Sequence, residues 1–290
     1  KEKQVDFILA VGGGSVIDCC KIISAQAKTE KDIWEMEFTD HVFPTEFVPM
    51  GAIVTATGTG AEMNNGAVIT HEEKKIKTGV WGAFASFAAL DYDYMKSLPA
   101  KQVVSGAFDT LSHCMETYFG SPRTANVSDE INEAIMRNTI RNLRVVAKDF
   151  LDENARRELM WDSAMAENGI LKLGKVTDFQ AHNHGCGLAV IHPVLYRHIY
   201  KDAVSRFAHF AEAVWGVSAE GKTQEETALA GIQALADFIR EIGLPTNFKE
   251  LGIEADENML HAVAESTVTT PGCCKKLTVN EIFEILTECR

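Results

Sequence analysis

Apolar positions along the chain follow two different rhythms. Before Leu98 they form short runs, Val5 to Val11, Phe47 to Val54, Gly66 to Thr70 and Phe84 to Leu90, each of strand length and bounded by glycine-rich or polar stretches. The first run ends in Gly12, Gly13 and Gly14, followed by Ser15 and an amphipathic stretch carrying Val16, Ile17, Ile22 and Ile23, which predicts strand, glycine turn and helix. After Leu98 and Pro99 the period lengthens. Val103 to Tyr118, Asn126 to Lys148 and Ala155 to Leu173 read as helices, and Leu229, Ile232, Ala236 and Ile239 recur at three- and four-residue spacing before the stop Gly243, Leu244, Pro245. The expectation is an α/β domain over residues 1–98 and an all-helical domain over residues 99–290. The division falls at Pro99, since proline commonly sits near a helix start.

The chain has 290 residues, 46% of them hydrophobic and 24% charged, the balance of an ordinary soluble globular protein. Its net charge of -13 speaks against a nucleic-acid partner, because phosphate neutralisation needs clustered Lys and Arg. No apolar run approaches the roughly 18 residues that span a bilayer. The start KEKQVDF carries no apolar signal-peptide core, so no membrane association and a cytoplasmic location are expected. Seven cysteines are an odd number. The adjacent pairs Cys19–Cys20 and Cys273–Cys274 lack Cys-x-x-Cys spacing and read as reduced, mostly buried thiols.

Histidine placement brings in chemistry. Asp109 and His113 lie four residues apart in a helical stretch, so they project from one face and can bind one cation. His182 and His184 in QAHNHGCG would complete four ligands. Three imidazoles and one carboxylate suit Fe(II) or Zn(II) and are poor for Ca or Mg. Either half alone also fits a plainer reading, a helix-surface ion pair or a loop bonding its own backbone. The glycines Gly106, Gly185 and Gly187 favour close backbone approach to a ligand.

Two loops suit a nucleotide. Gly12, Gly13, Gly14 and Ser15 offer bare N–H groups at a helix start, where phosphate oxygens meet no Cβ, although a tight turn would look the same. The second, Thr55, Ala56, Thr57, Gly58, Thr59, Gly60, Ala61, Glu62, is small and hydroxyl-rich directly after a strand, although an ordinary surface loop would read the same. A nucleotide loop and a metal cluster in one chain point to redox chemistry across a domain cleft.

The segments VGGGSVID at 11–18, TATGTGAEMN at 55–64, AFDTLSHCMETYF at 107–119 and NHGCGLAVIHPV at 183–194, in that order, resemble the iron-dependent (group III) alcohol dehydrogenases, most of all the butanol dehydrogenase branch. The resemblance implies a dehydroquinate synthase-like fold, a nucleotide-binding α/β domain followed by a helical metal-binding domain. It implies Asp109, His113, His182 and His184 as metal ligands, and nucleotide contacts at Gly12, Gly13, Gly14, Ser15 and Asp18, with Thr55, Thr57 and Thr59 near ribose and nicotinamide. It further implies NAD or NADP as cofactor, a small alcohol or aldehyde as substrate, and a homodimer. The implied reaction is hydride transfer with the metal polarising the substrate oxygen. The rival readings are a metal-dependent hydrolase and a nucleotide-binding protein with a crippled metal site.

The match departs from the family in two places. Family members carry a helical segment between the last two ligand histidines, where this chain has Asn183 alone. That segment is either deleted or absent from the chain as read, and the fit of the flanking residues favours the second. The resemblance also places Lys1 in mid-domain, so the position that discriminates NAD from NADP is not reached. With the family's extra histidine gone, His192 and His198 are the weak nominees for a proton relay, and packing roles suit both better.

Overall fold

The computed structural model describes residues 4–74, 76–121, 126–175, 185–267 and 274–290. In the first part, strand β1 (Ile8–Gly12) leads through Gly13 into helix α1 (Gly14–Gln26), then α2 (Ile33–Phe38) and strand β2 (Met50–Val54). A hairpin of β3 (Gly66–His71) and β4 (Ile76–Trp81) follows, and then the two-residue strand β5 (Ala88–Ala89). Strands β1, β2 and β5 form a parallel sheet in that order, with Ala10 opposite Ala52 and Ala52 opposite Ala88. The hairpin pairs antiparallel with Ala67 opposite Val80. Strand β2 is the sheet's centre, which is why Met50, Ala52 and Val54 are buried, as a strand covered on both faces requires.

The second part is helical among the described residues: α3 (Ala100–Tyr118), α4 (Val127–Lys148), α5 (Glu153–Glu167), α6 (Gly185–Ile199), α7 (Val204–Trp215), α8 (Gln224–Glu241), α9 (Glu257–Ser266) and α10 (Val279–Glu288). Their starts are chemically marked. Asn126, Asp152 and Asp256 cap α4, α5 and α9 by accepting a backbone N–H, and Thr223 and Thr278 open α8 and α10 with capping boxes. Helix α3 is buried almost all round from Ala107 onward, the mark of a central helix rather than a surface one.

Three expectations need correction. The helical stretch Ala155 to Leu173 breaks at Asn168 and Gly169, because Gly169 adopts φ +88, a left-handed conformation that ends the ladder. A separate 3-10 turn then covers Ile170–Lys172. The apolar run Phe84 to Leu90 is mostly loop: its strand is Ala88–Ala89, with Ser86 N–H and the Phe87 carbonyl also bonded to β2. Strand β4 was not anticipated, since IKTGVW carries too little alternation to be read as a strand. Along α8 the predicted face holds at Ile232, Ala236 and Ile239, while Leu229 is half-exposed.

Two apolar cores result. One lies among the helices. The other lies under the parallel sheet, includes Ile17, Met50 and Val54, and takes in Met160 from α5. The helical unit is thus packed into the α/β unit, and Arg156 of α5 reinforces the seam by donating to the Met95 carbonyl at 2.6 Å. The six described cysteines are free. Only Cys114 and Cys289 are buried and Cys19 is exposed, so the expectation of mostly buried thiols holds for two of them. No described helix is long and apolar enough to cross a membrane.

Candidate active site

On α3 the four-residue spacing puts Asp109 and His113 side by side, as helix geometry dictates. Both are buried, and His113 Nε2 lies 3.7 Å from Asp109 Oδ2. The other ring nitrogen, Nδ1, faces Glu167 Oε1 at 3.3 Å and Glu116 Oε2 at 3.6 Å. Three buried carboxylates around one imidazole create an excess of negative charge that a low-dielectric site balances with a cation. Burial alone pulls His113 down, yet Glu167, Asp109 and Glu116 together push it well above its ordinary value. The donor atoms, one carboxylate oxygen and one imidazole nitrogen facing each other, fit Fe(II) or Zn(II).

Glu167 ends α5 and is held on its second oxygen. Lys172 Nζ lies 3.0 Å from Oε2 and Asn64 Nδ2 donates to the same oxygen at 3.2 Å. Asn64 belongs to the α/β unit, and its Oδ1 accepts from Lys21 Nζ at 2.9 Å. Lys21 is wholly buried and also donates to the Gly66 carbonyl at 2.6 Å. Burial lowers its pKa, with Asp18, Glu62 and Glu167 opposing.

The two glycine-rich loops meet each other and then meet α3. Thr55 N–H donates to the Gly12 carbonyl at 3.0 Å, as the ends of β1 and β2 lie side by side. A Cβ on Gly13 would lie 3.1 Å from the Ala56 Cβ, and one on Gly14 would lie 3.1 Å from Thr59 Cγ2. The first N–H groups of α1 have no partner within the helix, so this end is suited to an anion. Gly58 has φ +136, and a side chain there would meet the Gly106 Cα at 2.8 Å. Gly106 is three residues before Asp109 on α3. The contact is locked by Gly58 N–H donating to Ser163 Oγ at 2.8 Å and Thr110 Oγ1 donating to the Gly58 carbonyl at 3.4 Å. Thus the loop with Thr55, Thr57 and Thr59 is seated one helical turn from the Asp109–His113 pair. Asp18 accepts from Val68 N–H on β3 at 2.9 Å and lies 3.5 Å from Lys21 Nζ.

His182 and His184 lie outside the described residues, and among the described residues no three His, Cys, Asp or Glu side chains converge in a metal-holding group. The sequence joins His182 to His184 through Asn183 alone. Glu116 and Glu167 were missed as parts of the site. Glu116 stood within the SHCMETYF segment, three residues after His113, and that helical spacing was the available signal. Glu167 had none, being far away in sequence. His192 is buried beside the site, with Nε2 and Ser112 Oγ 2.7 Å apart and no hydrogen-bond partner on Nδ1. Burial pushes it down to about 4 despite Glu116 and Asp109. His198 pairs instead with Glu281 of α10 at 3.5 Å.

The model of the family "Iron-containing alcohol dehydrogenase" matches residues 1–92, and that of "Fe-containing alcohol dehydrogenase family, C-terminal" matches residues 103–289. Probable NADH-dependent butanol dehydrogenase 1 of Bacillus subtilis is 33% identical over 303 residues, covering 99% of this chain and 77% of its own length. NADPH-dependent aldehyde reductase YqhD of Escherichia coli is 31% identical, covering 88% of this chain and 69% of its own. The crystal structure of NADH-dependent butanol dehydrogenase A from Thermotoga maritima superposes with a TM-score of 0.90 at 29% identity, over 100% of this chain and 77% of that one.

Proposed function

The chain belongs to the iron-containing alcohol dehydrogenase family, and from that premise we propose that it interconverts primary alcohols and aldehydes of butanol and butyraldehyde type. It is an NAD(P)-dependent oxidoreductase whose metal is Fe(II), with Zn(II) the minor alternative. When bound, the metal supplies Lewis acidity toward the substrate oxygen and the nicotinamide supplies the carbon that exchanges hydride. The single observation carrying the reading is that the loop of Thr55, Thr57 and Thr59 is packed at Gly106, one turn along α3 from the facing Asp109 and His113.

In this reading Asp109 and His113 hold the metal from one helix, and His182 and His184 complete the ligand set from the segment before α6. Gly12, Gly13, Gly14 and Ser15 present N–H groups to the dinucleotide phosphates. Thr55, Thr57 and Thr59 offer hydroxyls toward the ribose and nicotinamide. Asp18 acts indirectly, tying α1 to β3. Residues 1–98 form the nucleotide-binding unit and residues 99–290 the metal-binding unit. The protein works in the cytoplasm, consistent with its free thiols, as a homodimer on small-molecule substrates.

The test is NAD(P)H formation from 1-butanol by the metal-stripped protein, before and after adding Fe(II) or Zn(II). Metal-dependent turnover supports the proposal. Turnover of an ester or phosphoester without nucleotide would replace it with a hydrolase. No turnover, together with nucleotide quenching of tryptophan fluorescence, would leave a nucleotide binder with a lost metal site.

A further inference from the structure

His113 can serve a metal through Nε2 only if its ring is held at the right angle and its proton is kept on Nδ1. Metal-bound histidines meet that need with an acceptor on the second nitrogen, most effectively a carboxylate, which fixes the tautomer and raises donor strength. We infer that Glu167 is the positioning residue for His113, setting the orientation in which Nε2 faces Asp109; this rests on reading Asp109 and His113 as metal ligands. Glu167 Oε1 is the nearer of the two carboxylates facing Nδ1, at 3.3 Å against 3.6 Å for Glu116 Oε2. Glu116 also bears on this nitrogen, but it shares α3 with His113 and so fixes the ring only relative to that helix. Glu167 approaches from α5 and is itself anchored.

The anchoring comes from both units of the protein. Lys172 and Asn64 each reach Oε2, leaving Oε1 turned to the imidazole. Gly60, at φ +53, brings the backbone of the nucleotide-side loop directly onto the Glu167 stem, where a Cβ would lie 2.5 Å from the Glu167 Cβ. Lys21 then fixes Asn64 from α1. The metal-binding imidazole is therefore steadied by a carboxylate whose own position depends on the α/β unit being docked.

The experiment titrates the metal-stripped full chain with Co(II) and Zn(II) in competition with a chromophoric chelator, for the wild-type protein, Glu167→Gln and Glu167→Leu. Loss of such an outer partner weakens metal binding by about 10- to 100-fold. Glu167→Leu is expected near the upper end and the isosteric Glu167→Gln lower, each with altered visible Co(II) bands, a signature that a merely structural side chain would not move. Metal-free Glu167→Gln should still unfold cooperatively. Wild-type affinity and an unchanged Co(II) spectrum in both variants would overturn the inference while leaving the metal site standing. Failure of the wild-type chain to bind either ion would overturn the metal reading and the inference with it.

Discussion

Replacing Gly106 with alanine sets two effects of opposite sign against each other. In a helix interior alanine is worth about 1 kcal/mol over glycine, so a free-standing α3 would gain. In this fold the new methyl would fall well inside contact distance of the Thr57 carbonyl oxygen, with Gly58 Cα 3.7 Å away. Both obstacles are backbone and cannot rotate aside. The loop must retreat by about 1 Å to restore a C···O separation of about 3.3 Å. Such overpacking costs about 1–3 kcal/mol. The retreat also strains the buried bond from Gly58 N–H to Ser163 Oγ at 2.8 Å, worth about 1 kcal/mol. Net destabilisation is about 1–3 kcal/mol, a fall in Tm of about 2–4 °C per kcal/mol for a protein of this size. The more telling readout is nucleotide affinity, because the displaced loop carries Thr55, Thr57 and Thr59; a loss of about 1.4 kcal/mol there is a tenfold rise in Kd. Calorimetry and a fluorescence titration with NADH and NADPH measure the two. A variant with raised Tm and unchanged nucleotide Kd would show that helix propensity outweighs the seam and would refute the reasoning.

Other consequences are open to direct measurement. Asp109→Ala should lose bound metal and turnover while keeping its helical circular dichroism; a metal-replete, active variant would remove Asp109 from the ligand set. His192 has its folded pKa lowered to about 4 by burial, below the ordinary 6.5, so its unfolded form takes up protons first. The stability it contributes is complete above pH 6.5 and drains away as pH falls toward 4, by at most about 3 kcal/mol. His192→Phe should flatten that part of the pH–stability curve in denaturant melts, and an unchanged slope would count against it. Arg206 donates to the carbonyl of Tyr118 at the end of α3 and lies 2.7 Å from Asp129 Oδ1, which Lys175 shares. Arg206→Leu leaves a buried carboxylate half-compensated, with an expected cost of about 3 kcal/mol; a loss below 1 kcal/mol in chemical denaturation would show that Lys175 suffices alone.

What the chain discloses before folding divides by distance along it. Asp109 and His113 are legible because one helical turn sets their geometry, and any helix through Val103 to Tyr118 would bring them together. The glycine turn after β1 is legible for the same reason, being a matter of adjacent residues. Glu167 is not, since its role depends on α5 returning to α3 and on the break at Gly169 that ends α5 there. Read locally, a glutamate before Asn168 and Gly169 is a solvated helix end.

Helix α1 carries the sharper lesson. Its apolar residues suggest a buried stripe that includes Val16 and Ile23, yet those two are among the exposed large hydrophobics, while Lys21 and Ser24 are buried. The inversion has a cause. The inner face of α1 meets polar backbone as well as apolar side chains: the Gly66 carbonyl and Asn64 receive Lys21, and the Val48 carbonyl receives Ser24. A buried lysine is costly unless every proton finds an acceptor, so its presence marks a place where some other demand overrides the packing rule. A hydrogen-bonded and ionic chain runs from Lys21 through Asn64 and Glu167 to His113, joining α1 to α3. Local sequence rules fail on α1 because its polar face is shaped by acceptors at Val48, Asn64 and Gly66, brought to it by the fold from far along the chain.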